Sequence, residues 1–211
     1  MKAILFDLDG TLLDTLEDLT DATNAALTHF GYPPRSLEEV RKFVGNGAKK
    51  QITLSMPAGE PPEQIETVLD WYKAYYADHS QMKTRPYDGI LEALEAVKRE
   101  FPVAIVSNKP DVAVKILGAQ YFGDVFALGE SNSCPRKPAP DMVYQALKTI
   151  GADSCIYVGD SEVDVLTAKN ADVPCLSVLW GFRDKQTLID AGADHFCETP
   201  ADLLNSLKEM I

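Results

Sequence analysis

The sequence predicts an α/β fold, a mostly parallel sheet interrupted by an inserted block of helices, and three observations predict it. Short apolar runs at Ala3 to Phe6, Val103 to Val106, Val125 to Leu128, Cys155 to Val158 and Cys175 to Val178 have the length and β-branched content of buried strands. Helical patterns at 110–119, 140–149 and 162–171 separate the later runs, the alternation of a parallel sheet covered on both faces. Between the first two runs, residues 15–83 show helical periodicity and nothing resembling a βαβ unit.

Taken in order, the run ending at Phe6 is followed by Asp7-Leu8-Asp9-Gly10-Thr11. Apolar positions then recur at helical spacing at Leu16, Leu19, Thr23, Ala26, Leu27 and Phe30, and Gly31-Tyr32-Pro33-Pro34 stops that helix. Ser36 with Glu39 has the spacing of a capping box for the next. Gly45-Asn46-Gly47 breaks the chain before a helix from Ala48 to Met56, and Pro57 to Pro62 leads to a longer one ending near Ala77. The helical block is entered near Asp14 and left near Arg85-Pro86, so residues 1–14 and 84–211 form a discontinuous α/β core around a four-helix insert at 15–83. The core resumes with a helix from Gly89 to Arg99. Thr199-Pro200 opens the last helix, the threonine as cap and the proline in the first turn.

Composition narrows the function. At 211 residues and 45% hydrophobic, the chain can bury a sizeable core. Twenty basic against thirty-two acidic residues give a net charge of −12, which argues against nucleic acid or an anionic membrane as partner. No run approaches membrane-spanning length and no targeting segment is visible, so a cytoplasmic protein is expected. The cysteines at 134, 155, 175 and 197 are expected as buried free thiols, spaced too widely for a zinc knuckle.

Chemistry concentrates where strands end. Asp7 and Asp9 fall at the C-terminal end of the first strand, where open α/β sheets place ligands. Two nearby carboxylates repel unless compensated; a hard cation such as Mg²⁺ compensates them and would attract a phosphate. The alternative is an Asp-Gly turn that merely ends the strand. Ser107-Asn108-Lys109 offers a hydroxyl, an amide and an ammonium at the end of another strand. Arg136-Lys137-Pro138 places a lysine at a loop edge with no packing purpose, and Gly159-Asp160-Ser161-Glu162-Val163-Asp164 forms a second acidic turn. Asp160 and Asp164 serve equally as helix cap and first-turn residue, since capping and anion chemistry use the same place. Glu162 is expected on a solvated face, Arg136 beside the site in solvent, and Lys109 in the wall of the site. None of His29, His79 and His195 has a catalytic pattern.

These motifs, in this order, resemble the haloacid dehalogenase superfamily, specifically its phosphatases with a small helical cap and among these the phosphoglycolate phosphatases. Asp7 to Thr11, Ser107, Lys137 and Gly159 to Asp164 match the four superfamily motifs; Val44-Gly45-Asn46-Gly47-Ala48, Ser107 to Pro110 and Trp180-Gly181-Phe182 are the softer matches. The resemblance implies a Rossmann-like sheet of order 3-2-1-4-5, with residues 15–83 as an all-helical cap. It implies a Mg²⁺ site at Asp7, Asp9 and Asp160, with Asp9 contributing its backbone carbonyl. Asp7 would attack phosphorus to form an aspartyl-phosphate, with Asp9 as acid and base. Ser107, Asn108 and Lys137 would bind phosphate, and Asp164 would reach the metal through water or support Lys137. In the cap, Thr15 lies at the hinge and Gly45, Asn46 and Gly47 form a loop ahead of Lys49 and Lys50. These lysines either bind a substrate carboxylate or lie on the helix surface.

The expected partner is a small phosphorylated metabolite, and the chain a monomer or homodimer. Pyrophosphate, a sugar phosphate or a nucleoside monophosphate stays open as substrate. A mutase of this cap class would need a histidine within residues 16–28, which contain none. A dehalogenase proper would lack Asp9 and the metal site, and an acidic binding module would have no use for the constellation.

Overall fold

The computed structural model describes residues 1–131 and 134–211. The chain runs β1 (Lys2–Phe6), β2 (Leu13–Asp14), α1 (Leu16–His29), α2 (Leu37–Phe43), α3 (Gly47–Ser55), α4 (Pro62–His79), β3 (Arg85–Pro86), α5 (Ile90–Lys98), β4 (Val103–Pro110) and α6 (Asp111–Phe122). It continues through β5 (Phe126–Glu130), α7 (Asp141–Ile150), β6 (Ser154–Gly159), α8 (Glu162–Asn170), β7 (Cys175–Val178), α9 (Lys185–Ala191), β8 (His195–Cys197), a 3₁₀ turn (Pro200–Asp202) and α10 (Leu203–Glu209). Two compact units result: Met1–Leu13 with Pro86–Ile211, and Asp14–Arg85. The chain crosses between them through β2 and β3, which pair with each other.

In the first unit six strands form one sheet of order β5-β4-β1-β6-β7-β8, parallel at every pairing. Successive side chains on a strand point to opposite faces, and both faces here are buried. Ile4 and Phe6 pack with Ile105, Ile156 and Val158 on one side; Ala3 and Leu5 pack with Ala104, Val106, Cys155 and Tyr157 on the other. Such two-sided burial is why these strands read as continuous apolar runs rather than alternating ones. Each fully buried aliphatic side chain contributes about 2 kcal/mol relative to exposure. Helix α7 shows how the cover is made: Met142, Val143, Ala146 and Leu147 form its buried stripe, and Gly151 ends it in the left-handed conformation at φ 70°.

Three local expectations change. Strand β4 does not end at Val106 but continues to Pro110, with its register against β5 shifting between Val106 and Pro110, so Ser107, Asn108 and Lys109 are buried strand residues. The Thr199 hydroxyl caps no backbone N–H; it bonds the Asp202 carboxylate at 2.6 Å, and a 3₁₀ turn precedes α10. Helix α8 is capped by Ser161, with Asp164 as its reciprocal partner, and not by Asp160.

The second unit holds α1 to α4. The Ser36–Glu39 capping box forms as its spacing requires. Buried Asp18 on α1 accepts the backbone N–H groups of Lys83 and Thr84 at 2.8–3.0 Å, which ties the returning segment to α1. His29, Trp71, Tyr75 and His79 stack in a column along α1 and α4. Among the described residues no helix is long and apolar enough to cross a membrane.

Candidate active site

The site is set by register. Phe6 pairs with Val158 on one side and with Ile105 on the other, so the residues following β1 and β6 lie next to each other at the C-terminal end of the sheet. Asp7, Asp160 and Asp164 there each offer a carboxylate oxygen, all within 4.8 Å of one another, and all three residues are buried. Lys137, from the segment between β5 and α7, reaches the same place with its side chain 1% exposed. Its ammonium lies 2.9 Å from Asp7 Oδ1 and 2.8 Å from Asp164 Oδ1, and donates to the Tyr157 hydroxyl at 3.0 Å. Lys137, in the turn between β5 and α7, is the cation at the centre of the cluster.

Further contacts hold these groups in place. The Asn108 amide donates to the Lys137 carbonyl at 2.9 Å and so fixes the segment that carries the lysine. Asp160 accepts from the Thr11 hydroxyl at 2.9 Å and from the Phe182 N–H at 2.8 Å. A Cβ at Gly10 would come within 2.3 Å of Asp160 Oδ2, and one at Gly181 within 2.2 Å of Asp160 Cβ, so both glycines are needed for the backbone to pass this carboxylate. Asp164 uses both oxygens: Oδ1 on Lys137, Oδ2 on the Ser161 N–H and hydroxyl at 3.0 and 2.7 Å. Asp9 places its carboxylate on Lys109, while Ser107 Oγ accepts the Lys109 N–H at 3.3 Å.

Electrostatics follow from burial. Desolvation pushes the Asp7 carboxyl up to about 7, with Lys137 opposing and Asp164 adding to the rise. Asp160 is pushed up to about 8, by burial first and then by the charges of Asp164 and Asp7. Burial alone would lower the Lys137 ammonium, but Asp164 and Asp7 outweigh it and hold the group well above its ordinary range. Oxygen-only donors with surplus negative charge in a dry place fit a hard divalent cation.

The structure thus brings Asp7, Asp160, Asp164, Lys137 and Asn108 together and leaves the Asp9 carboxylate beside them on Lys109. Sequence reasoning missed Tyr157, which reads as an ordinary strand aromatic, and the Thr11 and Phe182 bonds to Asp160, although both residues lie in quoted motifs. Glu162, its side chain 32% exposed, is bound by the Arg183 guanidinium at 2.7 and 3.3 Å, and Arg136 reaches Glu130 at 3.5 Å. In the second unit, Thr15 is buried with its hydroxyl unpartnered among the described residues. Gly45 and Gly47 take positive φ of 113° and 80°, and Asn46 precedes α3 as its cap residue. Lys49 and Lys50 are exposed, Lys49 paired with Glu66.

Known proteins resemble this chain in sequence and in fold. The chain is 36% identical over 200 residues to the phosphoglycolate phosphatase of Rhodobacter capsulatus, covering 90% of this chain and 88% of that one. It is 31% identical over 221 residues to phosphoglycolate phosphatase 1 of Pseudomonas aeruginosa, covering 100% of this chain and 78% of that one. A crystal structure from Lactobacillus delbrueckii subsp. bulgaricus, of a protein provisionally assigned the same activity, superposes with a TM-score of 0.92 at 36% identity over 98% of both chains. The model of the haloacid dehalogenase-like hydrolases matches residues 4–178, an interval that holds every one of the buried carboxylates and Lys137. The chain belongs to the haloacid dehalogenase-like hydrolases.

Proposed function

We propose that this hydrolase removes phosphate from a small phosphomonoester through an aspartyl-phosphate on Asp7, with Mg²⁺ as its metal and 2-phosphoglycolate as its substrate. The observation that carries the reading is the cluster of Asp7, Asp160 and Asp164 about the Lys137 ammonium. Asp7 and Asp160, with the backbone carbonyl of Asp9, would hold the cation, and Asp164 supports from behind through Lys137. A divalent cation bound there offsets the carboxylates' repulsion and stabilises charge on the phosphoryl oxygens. Asp7 attacks phosphorus in line; Asp9 gives a proton to the leaving alkoxide and later takes one from the hydrolytic water. Lys137 offsets the charge of the phosphoryl oxygens, the Ser107 hydroxyl donates a hydrogen bond to them, and the Asn108 amide holds Lys137 in position.

Residues 15–83 act as the cap, with Thr15 at the hinge and the Gly45-Asn46-Gly47 loop, Lys49 and Lys50 as its leaving-group readers. The acidic balance and the four free thiols support a cytoplasmic enzyme acting on metabolites as a monomer or homodimer, without nucleic acid or membrane partners. The substrate assignment is supported by the names of the relatives.

The test is a panel of 2-phosphoglycolate, pyrophosphate, sugar phosphates and nucleoside monophosphates, each assayed for kcat/KM with Mg²⁺ and with chelator. The expected result is a preference of about tenfold or more for phosphoglycolate and no turnover in chelator. Full activity after chelation and dialysis would remove the metal, and a stronger preference for another ester would replace the substrate.

A further inference from the structure

A lysine ammonium has three N–H donors, and each one on Lys137 has a partner: Asp7 Oδ1, Asp164 Oδ1 and the Tyr157 hydroxyl. Two of these partners are buried and held by further bonds. The Tyr157 ring is fully buried, and its hydroxyl donates its single proton to the Val106 carbonyl at 2.9 Å, leaving only lone pairs for the lysine. Asp164 is fully buried and held through its other oxygen by Ser161. The third partner, Asp7, is the group that the proposed reaction phosphorylates, turning its carboxylate into a mixed anhydride and moving the negative charge onto the phosphoryl oxygens.

From this geometry we infer that Tyr157 is a positioning residue: with Asp164 it pins the Lys137 ammonium so that the third N–H stays aimed at the Asp7 oxygen and at the phosphoryl group arriving there. With Asp164 alone, the ammonium would pivot about one contact once Asp7 lost its charge, and the N–H would no longer be preorganised for the transition state. A hydroxyl suits this task better than another carboxylate, because it directs the donor without adding negative charge to a cluster that already has a surplus. The aim at the phosphoryl group rests on the phosphatase reading; the pinning of the ammonium does not.

Two measurements on the full-length protein with Mg²⁺ test it. In ¹⁵N-lysine-labelled protein, the Lys137 ammonium, assigned by its loss in Lys137→Met, should give a signal exchanging far more slowly than those of the exposed lysines. Tyr157→Phe should speed that exchange by about tenfold, the weight of one hydrogen bond. Kinetically, Tyr157→Phe should lower kcat by about tenfold on both phosphoglycolate and an aryl phosphate, with KM within about twofold of wild type. A folded Tyr157→Phe with unchanged exchange, or with raised KM and unchanged kcat, overturns the inference. Should that variant not fold, a wild-type Lys137 ammonium exchanging as fast as surface lysines overturns it, and a protected one upholds the pinning. If wild type hydrolyses nothing on the panel, the phosphatase reading falls and ammonium exchange alone decides the role of Tyr157.

Discussion

Asp9 holds the Lys109 ammonium with both carboxylate oxygens, at 2.8 and 3.1 Å, across 100 positions of sequence. The lysine side chain is 2% exposed and that of Asp9 13%, so the pair is largely withdrawn from solvent. Lys109 stays strand-like beyond Val106, where the sequence suggests that the strand has ended. The contact gives Asp9 a fixed orientation before any substrate is present.

Removing one member of such a pair strands the other. Lys109→Met should lower unfolding stability by up to about 3 kcal/mol and cut turnover, while Lys109→Arg should restore part of both. Chemical denaturation of the two single variants and of the double variant Lys109→Met with Asp9→Asn measures the coupling. If the single costs simply add, the pair holds nothing in place.

The raised carboxyls predict a linkage between protons and metal. Asp7 and Asp160 titrate up to about 7 and about 8 when folded, against an ordinary value of 3.8. Their contribution to stability is complete below the ordinary value and is lost as pH rises through the folded values, because the folded site resists ionising. The melting temperature of chelated protein should therefore fall from about pH 5 to about pH 9, and Mg²⁺ should restore it most at the alkaline end. Calorimetric titration with Mg²⁺ in buffers of different ionisation heat should show proton release near neutral pH, fading above about pH 9. A metal affinity independent of pH would contradict the assignment of the site.

Two substitutions separate attack from proton transfer. Asp7→Asn should reduce kcat by about a thousandfold or more, since an amide is not a nucleophile here. Asp9→Asn should lose about a hundredfold to ten-thousandfold and accumulate phosphorylated Asp7, detectable by mass spectrometry after acid quench. Asp7→Asn within about tenfold of wild type would exclude covalent catalysis at that residue.

The cap lysines can be told apart. Lys49 is committed to Glu66, so Lys49→Ala should change kcat/KM for phosphoglycolate by less than about twofold and cost no more than a surface pair is worth. Lys50→Ala should lower it by about tenfold while leaving an aryl phosphate unaffected. Equal loss on both substrates would make Lys50 part of closure rather than recognition. No loss would leave the Gly45 to Gly47 loop as the reader.

What the sequence by itself determined was local. The strand ending at Phe6, the Ser36–Glu39 box and the helices within residues 15–83 follow from spacing over a few residues, and spacing is printed in the chain. The chemical types at the site, carboxylates at 7, 9, 160 and 164 and a lysine at 137, were legible for the same reason. Their partners were not. Tyr157 on Lys137, Thr11 and Phe182 on Asp160, and Lys109 on Asp9 join residues 20, 149, 22 and 100 positions apart. The parallel register of β4, β1 and β6 sets the strand ends at which they meet, and a shift of one residue would turn each strand side chain to the opposite face. Tertiary structure also decided which charges are buried together, and desolvation, absent from an extended chain, is what raises Asp7 and Asp160 and makes the site call for a cation.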